Sequence, residues 1–188
     1  MQRFVASFLG VIVFGLIPST ASAQAKGKMG VTMGFPASAG LLWHVTEDVA
    51  VRPEVSFGWN SSEAGASEAE GSNFTTGASV LFYLRKWDNM AAYASPRYAF
   101  GRSTSTSISS FGGESERTSH SHLFSGSFGA QYWLGERFSV FGELGLVYQR
   151  STADANLDVP PDLPFEVFTE SRSRSFASRS AAGVVFYF

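Results

Sequence analysis

The chain has 188 residues, a net charge of −2, no cysteine, and only 16% charged side chains beside 15% aromatics. One domain fits that length, the lack of thiols excludes disulfides and thiolate chemistry, and a near-neutral balance with no basic stripe excludes nucleic acid as a partner. Charged residues fall below the quarter or so usual in soluble domains, so a chain with 18 Phe and 19 Gly suggests a different solvent.

Met1 to Ala23 reads as a processing segment. Arg3 supplies the positive start, Phe4 to Ile17 an apolar run, and Pro18 breaks it before Ala21-Ser22-Ala23 offers small residues for cleavage. A membrane-anchoring helix would need about 20 apolar residues. The mature domain is then 24–188, and no other stretch could cross a bilayer as a helix. If it crosses at all it does so as a closed barrel, which alone satisfies every backbone group in lipid without helices.

Period-2 alternation puts one set of side chains on each face of a strand. Val31, Met33 and Phe35 share a phase that continues through Ala37, Ala39, Leu41, Trp43 and Val45. Val49, Val51, Val55, Phe57 and Trp59 follow, opposite Arg52, Glu54, Ser56 and Gly58. Next come Phe74, Ala78, Val80, Phe82 and Leu84, then Ala92, Ala94, Pro96, Tyr98 and Phe100 opposite Tyr93, Ser95, Arg97 and Ala99. Phe124, Phe128, Ala130, Tyr132 and Leu134 oppose Ser121, Ser125, Ser127, Gly129 and Gln131, and Val140, Leu144, Leu146 and Tyr148 oppose Ser139, Glu143, Gly145 and Gln149.

Connections alternate in length. Tight turns fall at about 46–48, 86–89 and 135–137, and polar connections at about 61–71, 103–118 and 152–170. Short periplasmic turns alternating with long extracellular loops are the rhythm of outer-membrane barrels. Taken as one strand, Met29 to Val45 gives seven strands in all; split at Phe35-Pro36-Ala37 it gives eight. Both chain ends belong in the periplasm, which requires an even number, and proline suits such a turn. The unbroken odd phase through Pro36 argues the other way, although a hairpin with an even loop preserves it too.

The last stretch, Ser171 to Phe188, alternates most clearly, with Phe176, Ser178, Ser180, Ala182, Val184, Phe186 and Phe188 on one face. Gly183, Phe186 and Phe188 resemble the closing-strand signal of bacterial outer-membrane β-barrels: a Gly, an aromatic three residues on and a terminal Phe. The usual polar residue two before the Gly is here Ala181. The chain after its leader resembles the small OmpA-like, porin-family barrels. That resemblance implies an all-β, eight-stranded antiparallel transmembrane barrel of up-and-down meander type in the bacterial outer membrane. It also implies contact with membrane lipid and lipopolysaccharide, and insertion by the barrel-assembly machinery through the C-terminal strand. The expected state is a monomer, with no cofactor and no bound metal.

By this parity Arg52, Glu54, Arg97, Glu143 and Arg179 face inward. The opposite assignment would put each Arg in hydrocarbon at about 2–4 kcal/mol near the midplane. An eight-stranded barrel has an interior just wide enough for side chains to fill, so these charges are expected to pair as a lumen plug. Which of them pair is set by the barrel shear and not by spacing along the chain. Trp43, Trp87, Trp133, Phe138, Phe186 and Phe188 lie near the short turns and Trp59, Phe74, Phe100, Phe124 and Tyr148 near the loops, as two interfacial girdles would. Trp133 is an exception whose parity points inward.

Catalysis has weak support. His120-Ser121-His122, followed by Ser125 and Ser127, invites comparison with lipid A deacylases, but histidines and serines fall on opposite faces, and a triad needs nucleophile and base in hydrogen-bond reach. His44 stands alone with no visible partner. Asp154, Asn156 and Asp158 open like a calcium loop, yet Val159 stands where Gly is needed and Phe165 where the bidentate acid belongs. Glu63, Glu68, Glu70, Asp154, Asp158, Asp162, Glu166 and Glu170 could hold divalent cations diffusely at a lipopolysaccharide surface. Gly112-Gly113 and Ser103 to Ser110 read as loop composition, with no helix to make a phosphate cradle. The expected function is a non-enzymatic barrel that interacts through its extracellular loops. The alternatives are a narrow porin-like channel for small solutes and a lipid-modifying hydrolase.

Overall fold

The computed structural model describes residues 26–64, 67–108, 114–157 and 167–188. The leader expected at 1–23 lies outside the described residues, as do Asp158, Val159, Asp162, Phe165, Glu166 and the Gly112-Gly113 pair.

Eight strands form one closed antiparallel barrel: β1 (Met29–Phe35), β2 (Ser38–His44), β3 (Val49–Ala64), β4 (Ser67–Lys86), β5 (Met90–Ile108), β6 (Glu114–Trp133), β7 (Phe138–Leu157) and β8 (Val167–Tyr187). Each strand pairs with the next, and β8 closes on β1 through Val31↔Phe186 and Gly34↔Gly183. The first apolar run is split as expected, since Gly34 pairs with Ser38 across a turn at Pro36 and Ala37. Proline fits there because a turn residue owes the ladder no N–H. The three short turns also fall where expected, and in the first the Thr46 hydroxyl accepts from the Asp48 and Val49 amides.

Neighbouring residues on one strand see opposite surroundings. On β7, Leu144 is 71% exposed while Glu143 is 3% exposed, and on β6, Phe128 is 72% exposed beside Ser127 at 4%. This inverts the soluble arrangement and is what a wall between hydrocarbon and a polar interior requires. On β7 the outward apolar stretch from Phe138 to Tyr148, at about 3.4 Å per residue and tilted about 40°, rises roughly 26 Å, close to the ~25 Å apolar band of such barrels.

The polar connections differ from expectation. Strand pairing continues to Ala64↔Ser67, Ile108↔Glu114 and Leu157↔Val167, so most of 61–71, 103–118 and 152–170 is ladder and not loop. The reason is physical. Beyond the membrane both faces of a strand meet water, so apolar alternation disappears while the backbone still gains by pairing, and Ser- and Thr-rich strands serve well. The β1–β2 hairpin stops at membrane height, where Ala39↔Val55 and Phe35↔Ala182 end its pairing with β3 and β8. Above it β3 to β8 continue as a six-stranded sheet with a gap over the hairpin.

Candidate functional site

The five inward charges converge. Arg52 Nη2 lies 2.7 Å from Glu143 Oε1 and Arg179 Nη1 3.1 Å from Glu143 Oε2. Arg52 Nε lies 3.7 Å from Glu54 Oε2, and Arg97 Nε donates to Glu54 Oε1. The chain of contacts runs Arg97, Glu54, Arg52, Glu143, Arg179 across strands β5, β3, β7 and β8. Tyr93 donates its hydroxyl to Glu143 at 3.0 Å, Arg52 donates to Ser79 Oγ at 3.1 Å, and the Arg52 guanidinium sits 5.0 Å from the centre of the Phe141 ring. Buried charges are tolerable only when paired and hydrogen-bonded. Here each carboxylate meets two guanidinium groups, and the set carries three cations against two anions.

Two glycines shape this network. Gly129 stands between Tyr93 and Glu143 in the ladder, and a Cβ there would lie 2.6 Å from the Tyr93 ring. Without one, the ring leans across β6 and delivers its hydroxyl to Glu143. Gly183 pairs with Phe141, whose ring would lie 2.6 Å from an added Cβ. The Gly183 of the closing-strand motif therefore also makes room for the ring beneath Arg52. Phe186 and Phe188 point outward, 54% and 70% exposed.

Nearer the short turns lies a second plug, built without charged groups. Gln131 donates through Nε2 to Tyr187 Oη at 2.7 Å and to Ser139 Oγ at 2.6 Å, while Tyr83 donates to Gln131 Oε1 at 2.8 Å. His44, which looked partnerless in sequence, is wholly buried, stacks on Tyr83 at 5.5 Å and has Nε2 3.3 Å from Tyr187 Oη. Leu42, Leu81, Val185 and the inward Trp133 fill the remaining space. The signal was available: Tyr83, Tyr93, Gln131 and Tyr187 all lie on the inward phase. On the extracellular side of the ionic network is a cavity of about 210 Å³ lined by Arg52, Glu54, Arg97 and Arg179 and by the β1–β2 turn.

The outer surface sorts as the two-girdle reading expects. Trp43, Trp87 and Phe138 are exposed near the short turns and Trp59, Phe74, Phe124 and Tyr148 near the other end. Both histidines of the His-Ser-His sequence face outward, His120 stacked on Phe100 and His122 hydrogen-bonded to the Tyr98 hydroxyl at 2.9 Å. Ser121 faces inward and donates to the Gly101 carbonyl. The structure does not bring these serines and histidines together. Among the described residues no group of three or more acids or histidines could hold a metal ion. Of the loop acids, Glu70, Asp154 and Glu170 are described in full, and Asp154 and Glu170 are register partners on β7 and β8.

An eight-stranded antiparallel barrel that is apolar outside and charged within is an outer-membrane β-barrel of the small bacterial kind. Among solved structures, a major outer membrane protein from Thermus thermophilus matches with a TM-score of 0.59 at 12% identity, covering 86% of this chain and 98% of that one. Ail, the attachment invasion locus protein of Yersinia pestis, matches with a TM-score of 0.50 at 12% identity, covering 87% and 99%. At that identity the likeness is one of fold. No protein-family model matches the chain, and no curated protein sequence is detectably related to it.

Proposed function

We propose that the mature chain, cleaved after Ala23, is a monomeric, non-enzymatic barrel of the bacterial outer membrane, inserted by the assembly machinery through β8. In this reading the lumen is closed and the six-stranded extracellular sheet is the surface that meets partners. The observation that carries it is the doubly filled lumen. The Arg52–Glu143 belt and the Tyr83–Gln131–Tyr187 plug lie one above the other, with Tyr93, Tyr187, His44 and Gln131 at most 1% exposed. A structural barrel of this kind leaves specificity to its exposed part.

One observation favours a second reading. The cavity above the belt is lined by three arginines, and a belt able to part would make a narrow, anion-preferring channel. Planar-bilayer recording separates the two. The refolded mature chain should insert without steady conductance; reproducible unitary steps would overturn the closed-lumen reading in favour of the channel. Incubation with lipid A or phospholipid should release no fatty acid, and release would revive the hydrolase.

A further inference from the structure

On the outward face of β6, β7 and β8 the ladder stacks its side chains in ordered rows. Phe124, Tyr148 and Phe176 form one row, and the next row toward the extracellular side is His122, Arg150 and Arg174. Above that come His120, Thr152 and Arg172, then Thr118, Asp154 and Glu170. The aromatic row is the upper edge of the apolar band, so the basic row stands at headgroup height. Arg150, Arg174 and His122 are all exposed.

Arg150 and Arg174 face each other directly across the β7–β8 pair. Like charges in that position oppose pairing. Among the described residues no carboxylate lies within ion-pair distance of either, whereas the neighbouring Arg172 is taken up by Glu170 at 2.7 Å. His122 is oriented by the Tyr98 hydroxyl at Nδ1. When the phenol donates to Nδ1, the Nε2–H is left to donate outward beside Arg150.

Below the aromatic row the outward face of β8 carries only Ser178, Ser180 and Ala182 before Val184. With Phe128, Gly142 and Leu144, Ser180 and Ala182 line an open groove of about 510 Å³ within the span occupied by acyl chains.

We propose that this wall is a binding site for a phosphorylated glycolipid of the outer leaflet. Its phosphate is held between Arg150 and Arg174 with His122 as a further donor, and its acyl chains run down the small-residue face of β8. A phosphate bridging two guanidinium groups turns their repulsion into paired charge-assisted hydrogen bonds. The proposal rests on the outer-membrane reading and adds to it a defined lipid position on one side of the barrel.

The test is native mass spectrometry of the refolded mature chain in detergent, titrated with bis-phosphorylated lipid A, with dephosphorylated lipid A and with inorganic phosphate. Bis-phosphorylated lipid A should bind, and R150Q/R174Q should weaken it at least tenfold while keeping heat-modifiable mobility. Dephosphorylated lipid A should bind no better to the parent than to that variant, and inorganic phosphate should not bind alone. Arg85→Gln, near the periplasmic turn, should change nothing. If the double variant fails to fold, R150Q alone decides, with an expected loss of about threefold or more. Equal binding by the parent and the Arg150 and Arg174 variants, an equal loss in R85Q, or tight binding of phosphate alone would overturn the site. A chain that enters vesicles yet binds lipid A no better than phosphatidylcholine refutes the site and leaves the barrel standing. A chain that never enters vesicles refutes the outer-membrane reading itself.

Discussion

The lower half of β7 and its upper half are built of the same backbone ladder, yet the physics on their two faces differs. From Phe138 to Tyr148 one face meets hydrocarbon and the other a packed ionic interior. From Arg150 to Asp154 the outward side chains are polar or charged, beyond the aromatic row. In the lower half the environment constrains each side chain. In the upper half hydrocarbon no longer constrains the outward side chains, and strand pairing with an inward contact at buried Ala153 holds the strand. Exposure therefore means opposite things in the two halves: Leu144 is open because lipid is its solvent, and Ser72, on the upper part of β4, because water is.

The largest expected effect comes from the interior of the lower half. Glu143→Ala leaves Arg52 and Arg179 without their shared carboxylate and should cost about 3–5 kcal/mol, the usual result of stranding a buried charge. It should be read as a marked fall in the temperature at which the folded, fast-migrating gel band is lost. An unchanged band would mean that the contacts of Glu143 contribute nothing to the barrel.

Next is the lipid face. Leu144→Arg places a charge in the apolar band and should cost about 2–4 kcal/mol if the site lies near the midplane. This can be followed by urea titration of the barrel in lipid vesicles. A soluble protein would accept arginine at a position 71% exposed.

A smaller loss, about 1–3 kcal/mol, is expected for Tyr187→Phe, because Gln131 keeps Ser139 as an acceptor while its second N–H and the buried His44 Nε2 lose the Tyr187 hydroxyl. Equilibrium unfolding in the same vesicles measures it. Smallest is Ser72→Arg in the upper half, which should stay within about 0.5 kcal/mol of the parent. A loss there as large as that of Leu144→Arg would erase the contrast between the halves.

How much of this was legible in the sequence follows the same division. Inside the membrane the environment enforces period-2 alternation, so the parity of Val140 against Ser139 and of Phe128 against Ser127 already assigned faces, and the inward set of Arg and Glu followed. Which charges would meet was not legible. Glu143 reaches Arg52 across the lumen from β7 to β3, a pairing set by barrel shear and not by spacing along the chain. The hydrogen bonds of the uncharged plug were not legible for a related reason. Tyr83, Gln131 and Tyr187 belong to strands far apart in sequence, and a tyrosine among many aromatics gives no sign of its hydrogen bonds. The strand extensions were hidden because water on both faces removes the pattern, leaving Ser-rich segments that read as loop.

The basic row at the outer girdle was hidden in the same way. Arg150 and Arg174 are ordinary polar residues in sequence, and only the register makes them neighbours.

The inversion of the two faces is tested most directly by cysteine substitution in a chain that has none of its own. A fluorophore on Phe128→Cys, in the barrel inserted into vesicles, should be quenched by lipids brominated along their acyl chains, and one on Ser127→Cys should not. Strong quenching at 127 with none at 128 would contradict the account.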